Sequence, residues 1–332
     1  MIYPWHQTAW QQLTEHWQQL HHAWLLIGKE STGKSAFAAH FAQVLLCEQP
    51  QSNHEACGQC PSCHLFTQHA HPDFYSLTPE QPDSSETGNA RKLQQIKIDA
   101  VRAILEPLTQ TSVRGGRRVV LIYPAESMNV QAANALLKML EEPPEAVVFL
   151  LVSHNRDRLL PTIKSRCRAL TLPAPSPEQA LHYWREQQPE HAEQAEQLLA
   201  FHSHAPLFEH NPEQDDLRER LLAILAEPRL LAILDYAAEF DKQKLPLAVL
   251  LDWLYKWLID MSLATQSMPP LYYPHHASSL QRMAQKTNPA TLFALIAQLN
   301  RLHPYGHHSL NVKMQAENLL GEYLLMLTAK SK

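Results

Sequence analysis

Eight residues in this chain have the types and spacing for phosphate chemistry. Gly28-Lys29-Glu30-Ser31-Thr32-Gly33-Lys34-Ser35 spells G-x-x-x-x-G-K-S, a complete phosphate-loop pattern. Gly28 and Gly33 let the backbone turn its N–H groups toward phosphate oxygens, and Ser31 and Thr32 belong to the same cradle. The start of a following helix adds partial positive charge there. Lys34 is placed to reach terminal phosphates, and Ser35 to offer its hydroxyl to Mg²⁺, so the ligand implied is ATP or ADP with Mg²⁺. A strand-to-helix turn with chance glycines is the plainer alternative. Against it stand the apolar run Ala23–Ile27 before the loop and the helix-spaced run Ala36–Leu46 after it.

A second group is Cys47, Cys57, Cys60 and Cys63, spaced C-x9-C-x2-C-x2-C. Each C-x2-C step lets a tight turn aim two sulfurs at one metal, and four thiolates suit tetrahedral Zn²⁺. Pro50–Asn53 and Cys57–Pro61 read as loop, so the expectation is a small inserted structural zinc module. Free thiols and an iron–sulfur cluster are the alternatives. An independent nucleic-acid-binding zinc ribbon would need basic and aromatic residues that this stretch lacks.

A phosphate-loop ATPase usually carries Asp then Glu after a second buried strand, to hold the Mg²⁺ shell and polarise the attacking water. Here Val119–Ile122 is that strand, and Tyr123-Pro124-Ala125-Glu126 follows. Neither Tyr123 nor Pro124 offers a carboxylate, and Glu126 lies two residues beyond the expected Glu. Hydrolysis is expected to be disabled while phosphate binding survives.

The elements that must position these groups follow from periodicity. Trp10, Leu13, Trp17 and Leu20 predict an amphipathic helix within residues 1–22. His71–Leu77 predicts a short strand, Thr78–Ala90 a polar loop, and Ile96 to Leu108 a helix with one apolar face. Asn129–Leu140 predicts a helix, Val147–Val152 a buried strand and Leu170–Leu172 the last strand. Strands alternating with helices over 23–172 imply a parallel α/β sheet. Pro173, Pro175 and Pro177 mark a boundary, beyond which every pattern is helical. The 332 residues are 45% hydrophobic with a formal net charge of −5, which excludes a strongly basic DNA sleeve. No apolar run has the length of a membrane span and no signal pattern opens the chain, so the expected address is the cytoplasm, without a membrane partner. In that compartment the five cysteines stay reduced.

HHAWLLIGKESTGKS, CGQCPSC, NALLKMLEEPP and TIKSRC together resemble the clamp-loader subunits of bacterial DNA polymerase III, members of the AAA+ class. The resemblance covers roughly residues 1–215 and, more loosely, Asn311–Leu320. It is closest to the delta-prime branch. The gamma/tau ATPases carry Asp-Glu where Tyr123-Pro124 stand and a sensor arginine in Gly-Ser-x-Arg, whereas His202–Leu207 has no arginine. Many delta-prime chains have a degenerate phosphate loop, so the intact loop here is a departure toward the ATPases.

The resemblance implies an AAA+ P-loop domain over 1–172 with a zinc-binding insertion at 47–63, a helical lid at 173–210 and an all-α collar domain at 211–332. It implies gamma/tau and delta subunits as partners, with the sliding clamp and primed DNA engaged by the assembly. By itself Arg166 reads as a surface arginine before a strand, paired with a carboxylate. The resemblance makes it an arginine finger acting on ATP held by a neighbour. It also puts His154 and Asn155 near the family's sensor position. The chain is then a non-hydrolysing subunit contributing in trans. An active P-loop ATPase using Glu126 and a zinc-containing DNA-binding protein are the rival readings.

Overall fold

The computed structural model describes residues 2–15, 17–79, 95–307 and 311–328. The predicted loop Thr78–Ala90 therefore lies partly outside the described residues. The chain divides into two compact units. Of the described residues, one unit comprises 2–79, 95–180 and 205–207, and the other comprises 181–204 and 208–328.

The first unit is built on a five-stranded sheet in the order β2-β3-β4-β1-β5, parallel throughout. The strands are β1 (Ala23–Ile27), β2 (Phe74–Leu77), β3 (Arg118–Ile122), β4 (Val147–Ser153) and β5 (Arg168–Thr171). The central strands are continuous apolar runs because both faces are covered. Trp24, Leu26, Val119, Leu121, Val148, Leu150 and Val152 face one core. The alternate residues Ala23, Leu25, Val120, Ile122, Val147, Phe149 and Leu151 face the other.

The helices of this unit are α1 (Gln7–Thr14), α2 (Lys34–Leu46), α3 (Pro61–Thr67), α4 (Ile98–Leu105), α5 (Val130–Glu141) and α6 (Pro161–Lys164). Asn129 caps α5 by accepting from Ala132 N at 2.8 Å. Three expected elements come out shorter, among them the helix expected over Ile96 to Leu108, which is α4 followed by a separate 3-10 turn at Pro107–Thr109. The N-terminal helix stops at Thr14, whose hydroxyl turns back onto the Trp10 and Gln11 carbonyls, and a separate 3-10 turn carries Trp17. Strand β2 begins only at Phe74. The preceding Asp73 carboxylate instead gathers Ser112 Oγ, Val113 N and Arg114 N at 2.9–3.0 Å. It satisfies the turn before β3.

Helix α7 (Pro177–Gln187) follows the sheet. The second unit then holds α8 (Ala195–Phe201), α9 (Pro212–Ala226), α10 (Leu230–Lys242), α11 (Leu247–Thr265), α12 (Ala277–Gln285), α13 (Pro289–Leu302) and α14 (Val312–Thr328). Its core centres on Trp257, Leu254, Leu258 and Tyr323, all fully buried. Trp257 Nε1 donates to the Tyr323 hydroxyl at 3.0 Å, which donates to the Leu225 carbonyl at 2.9 Å. Buried Asp260 accepts from the N–H groups of Leu271, Tyr272 and Tyr273, tying the loop after α11 to that helix. No strand occurs among the described residues beyond β5, as the sequence pattern predicts.

Candidate phosphate cradle and cysteine cluster

The loop between β1 and α2 lies at the carboxyl end of the sheet, where open α/β sheets place their ligand crevices. Both of its glycines are required by space. A Cβ on Gly28 would sit 2.6 Å from the Leu172 carbonyl oxygen. Gly33 has φ +91°, and a Cβ there would meet the Tyr3 ring at 2.4 Å. The N-terminal segment buttresses the loop. Tyr3 stacks on Trp5 with centroids 4.9 Å apart, and Trp5 Nε1 donates to the Thr32 carbonyl at 2.8 Å. Thr32 Oγ1 in turn donates to the Lys29 carbonyl at 2.8 Å. Periodicity predicts only an amphipathic helix for this segment, because side-chain contacts across 27 residues leave no periodic trace.

Lys34 is 2% exposed. Its Nζ donates to the Lys29 carbonyl and to Nδ1 of His154 at 2.8 Å. Burial lowers its pKa to about 8, while Glu30 and Glu126 pull the other way. A cavity of about 250 Å³ opens beside it, bordered by Tyr3, Glu30, Lys34, Ser35, Tyr123 and His154. Tyr123 stands at the end of β3 with its ring edge-on to His154. Burial, then Glu30, raises its phenol pKa. Glu126 sits on a 3-10 turn, where Oε1 accepts from His154 N at 2.8 Å and Asn155 N at 3.2 Å. Its other oxygen is buried with no hydrogen-bond partner among the described residues. The arrangement can accept an anion, and the carboxylate closest to the expected catalytic place holds backbone.

Arg166 lies between α6 and β5. Nε donates to Glu141 Oε1 at 2.8 Å, Nη2 donates to the same oxygen, and Nη1 donates to the Thr162 carbonyl at 2.9 Å. Its partners are thus the last residue of α5 and its own turn. None belongs to the phosphate cradle. Cys167 beside it is half-buried, with a thiol pushed up to about 12 by burial, which removes it as a nucleophile.

The four cysteines converge. Their sulfurs lie within 4.8 Å of one another. The Cys47–Cys57, Cys47–Cys60 and Cys57–Cys63 separations are 3.6, 4.0 and 4.0 Å. Zinc–sulfur bonds of about 2.3 Å in a tetrahedron give an edge of about 3.8 Å, so the cluster could hold a metal ion with little movement. Disulfides, at about 2.05 Å, are far from formed. Successive backbone N–H groups of Cys57, Cys60 and Cys63 donate to the preceding sulfurs at 3.3–3.4 Å. N–H bonds from Gln59 and Cys60 hold the Cys57 thiol down at about 6. Cys63 is on the first turn of α3, which Cys60 caps; of the stretch expected to be loop, Cys57–Pro61, only Pro61 lies on that helix. Cys47 directly follows α2, and His40 of α2 reaches Glu55 of the insertion at 2.9 Å.

Two families match. The one described as DNA polymerase III, delta subunit, covers residues 5–176, and its C-terminal counterpart covers 212–323. The DNA polymerase III subunit delta′ of Pseudomonas aeruginosa is 40% identical over 264 residues, 78% of this chain and 77% of its own. The Escherichia coli subunit delta′ is 38% identical over 184 residues, 55% of this chain and 52% of that one. Among solved structures, a DNA polymerase III gamma subunit-related protein from Thermotoga maritima covers 95% of this chain and 99% of its own at 17% identity, with a TM-score of 0.39. The last score is too low to bear on the fold. The first match spans the cradle, the cysteines and Arg166, and together with the identity to the Pseudomonas relative it shows that the chain belongs to the delta-prime subunit family of bacterial DNA polymerase III.

Proposed function

We propose that this chain is an AAA+ subunit of a replicative clamp loader that hydrolyses no ATP itself and donates Arg166 to ATP bound by a neighbouring subunit. The observation that carries the reading is a division of labour. The cradle ends in Tyr123-Pro124 where a hydrolysing site needs carboxylates, while the guanidinium of Arg166 is held at the surface by Glu141 and the Thr162 carbonyl. All three guanidinium nitrogens have partners, Nη1 also meeting Ser165 Oγ at 3.3 Å, so Arg166 would give up some of these bonds to meet a phosphoryl group.

Gly28, Ser31, Thr32, Gly33, Lys34 and Ser35 would hold ATP or ADP without turning it over, with Mg²⁺ at the Ser35 hydroxyl. Cys47, Cys57, Cys60 and Cys63 would hold structural Zn²⁺. Gamma/tau and delta subunits are the partners, and the clamp and primed DNA are met through the assembly. The AAA+ domain would occupy 1–172, the lid 173–210 and the collar domain 211–332. No helix among the described residues is long and apolar enough to cross a membrane, in keeping with a cytoplasmic replication role.

In a complex reconstituted with gamma/tau and delta subunits, Arg166→Ala should lower DNA-stimulated ATP turnover about tenfold or more without loss of assembly. An unchanged rate would leave Arg166 as a paired surface residue. The rival reading, in which Glu126 serves an active site of this chain, is opposed by its bonds to the end of β4. Turnover by the purified chain, lost on Lys34→Ala, would establish that reading.

A further inference from the structure

A buried ammonium needs acceptors, and Lys34 has found one outside its own loop. Besides the Lys29 carbonyl it donates to Nδ1 of His154 at 2.8 Å. To accept, the imidazole must be neutral with its proton on Nε2. Burial, and then the Lys34 charge, lower the His154 pKa and favour that form, while Glu30 and Glu126 oppose them. The ring is placed by the fold. Glu126 Oε1 holds the N–H groups of His154 and Asn155, and the imidazole packs on Tyr123 with centroids 5.4 Å apart at 79°. The ends of β3 and β4 thus present His154 to the lysine of the loop after β1. Both side chains border the same cavity.

We propose that His154 gates this cradle: the imidazole occupies Lys34 in the empty chain, and a nucleotide's terminal phosphate enters by taking the lysine from it. The inference rests on the loop being a nucleotide site. A phosphate oxygen can win the exchange because its bond to an ammonium is charge-assisted, about twice as strong as one to a neutral acceptor. The Lys34–His154 bond exists only in the empty state, so it opposes binding, and removing it should raise affinity.

The test is titration calorimetry of the full chain with ADP. His154→Ala and His154→Phe should each bind about five- to tenfold more tightly than the natural chain, the worth of one hydrogen bond. His154→Phe keeps a ring against Tyr123 but cannot accept, so it serves if His154→Ala does not fold, and thermal melts check both. Lys34→Ala should lose ADP binding. In the natural chain, the ¹⁵N resonance of His154 Nδ1 should lose its hydrogen-bonded shift as ADP is added. Unchanged or weaker ADP binding by folded His154→Phe, with the natural chain still binding, overturns the gate and leaves the nucleotide site standing. Absence of ADP binding by all forms overturns both. Binding by the variants where the natural chain is silent supports the gate.

Discussion

Lys34 is the residue at which burial and charge meet. Its pKa falls from an ordinary 10.5 to about 8, chiefly by burial. The consequence for stability has a definite sign. Between about pH 8 and 10.5 the unfolded chain binds more protons at this residue than the folded one, so stability should rise with pH across that window. Urea unfolding at pH 8 and pH 10 should show the rise, and Lys34→Met should remove its share of it. The lysine, both glycines and the missing carboxylates at Tyr123-Pro124 were legible in the sequence because spacing alone identifies them. The part played by Glu126 was not. It holds backbone 28 and 29 residues away, and no local pattern records which N–H a carboxylate will find. Arg166 was half legible. The carboxylate expected of a surface arginine is Glu141, whereas the proposed action on a neighbour's ATP is only what the resemblance implies.

Among the elements, the central strands β1, β3 and β4 were read almost residue by residue, since strands buried on both faces are unbroken apolar runs, whereas the edge strand β5 begins two residues before the expected Leu170 and is largely exposed. The misses were at places where side chains replace backbone pairing. Thr14 ends α1 by bonding its own turn, and Asp73 delays β2 by serving residues 112–114. The insertion after α2 has little apolar material beyond its own cysteines and Ala56. A metal would therefore supply most of its order. Freshly prepared protein should contain about one zinc per chain. Removing it with a strong chelator should lower the melting temperature and open residues 48–60 to protease, and re-addition should restore both. An insertion indifferent to chelation would mean that packing and the N–H···S bonds suffice.

The whole molecule is acidic in sum, and its helical second unit was legible as helices but not as a packing. Apolar stripes such as Leu247-Leu250-Leu251-Leu254-Leu258 say which face is buried. They do not say that Trp257 will reach Tyr323 66 residues on, or that Asp260 will hold the loop at 271–273. A net charge of −5 gives little long-range attraction for phosphate backbones. The isolated chain should accordingly show no salt-sensitive binding of primed DNA in fluorescence anisotropy at about 50 mM salt, while the assembled complex binds it. Strong binding by the chain alone would favour the DNA-binding rival. One last consequence belongs to α2, which starts at Lys34 in the cradle and ends one residue before Cys47. Its 13 residues make a rigid rod of about 20 Å. The chain thus carries its own molecular ruler: cobalt(II) exchanged into the thiolates would be a magnetic beacon one helix length from the cradle, against which the arrival of a ligand's ³¹P nuclei can be timed and ranged without attaching any label.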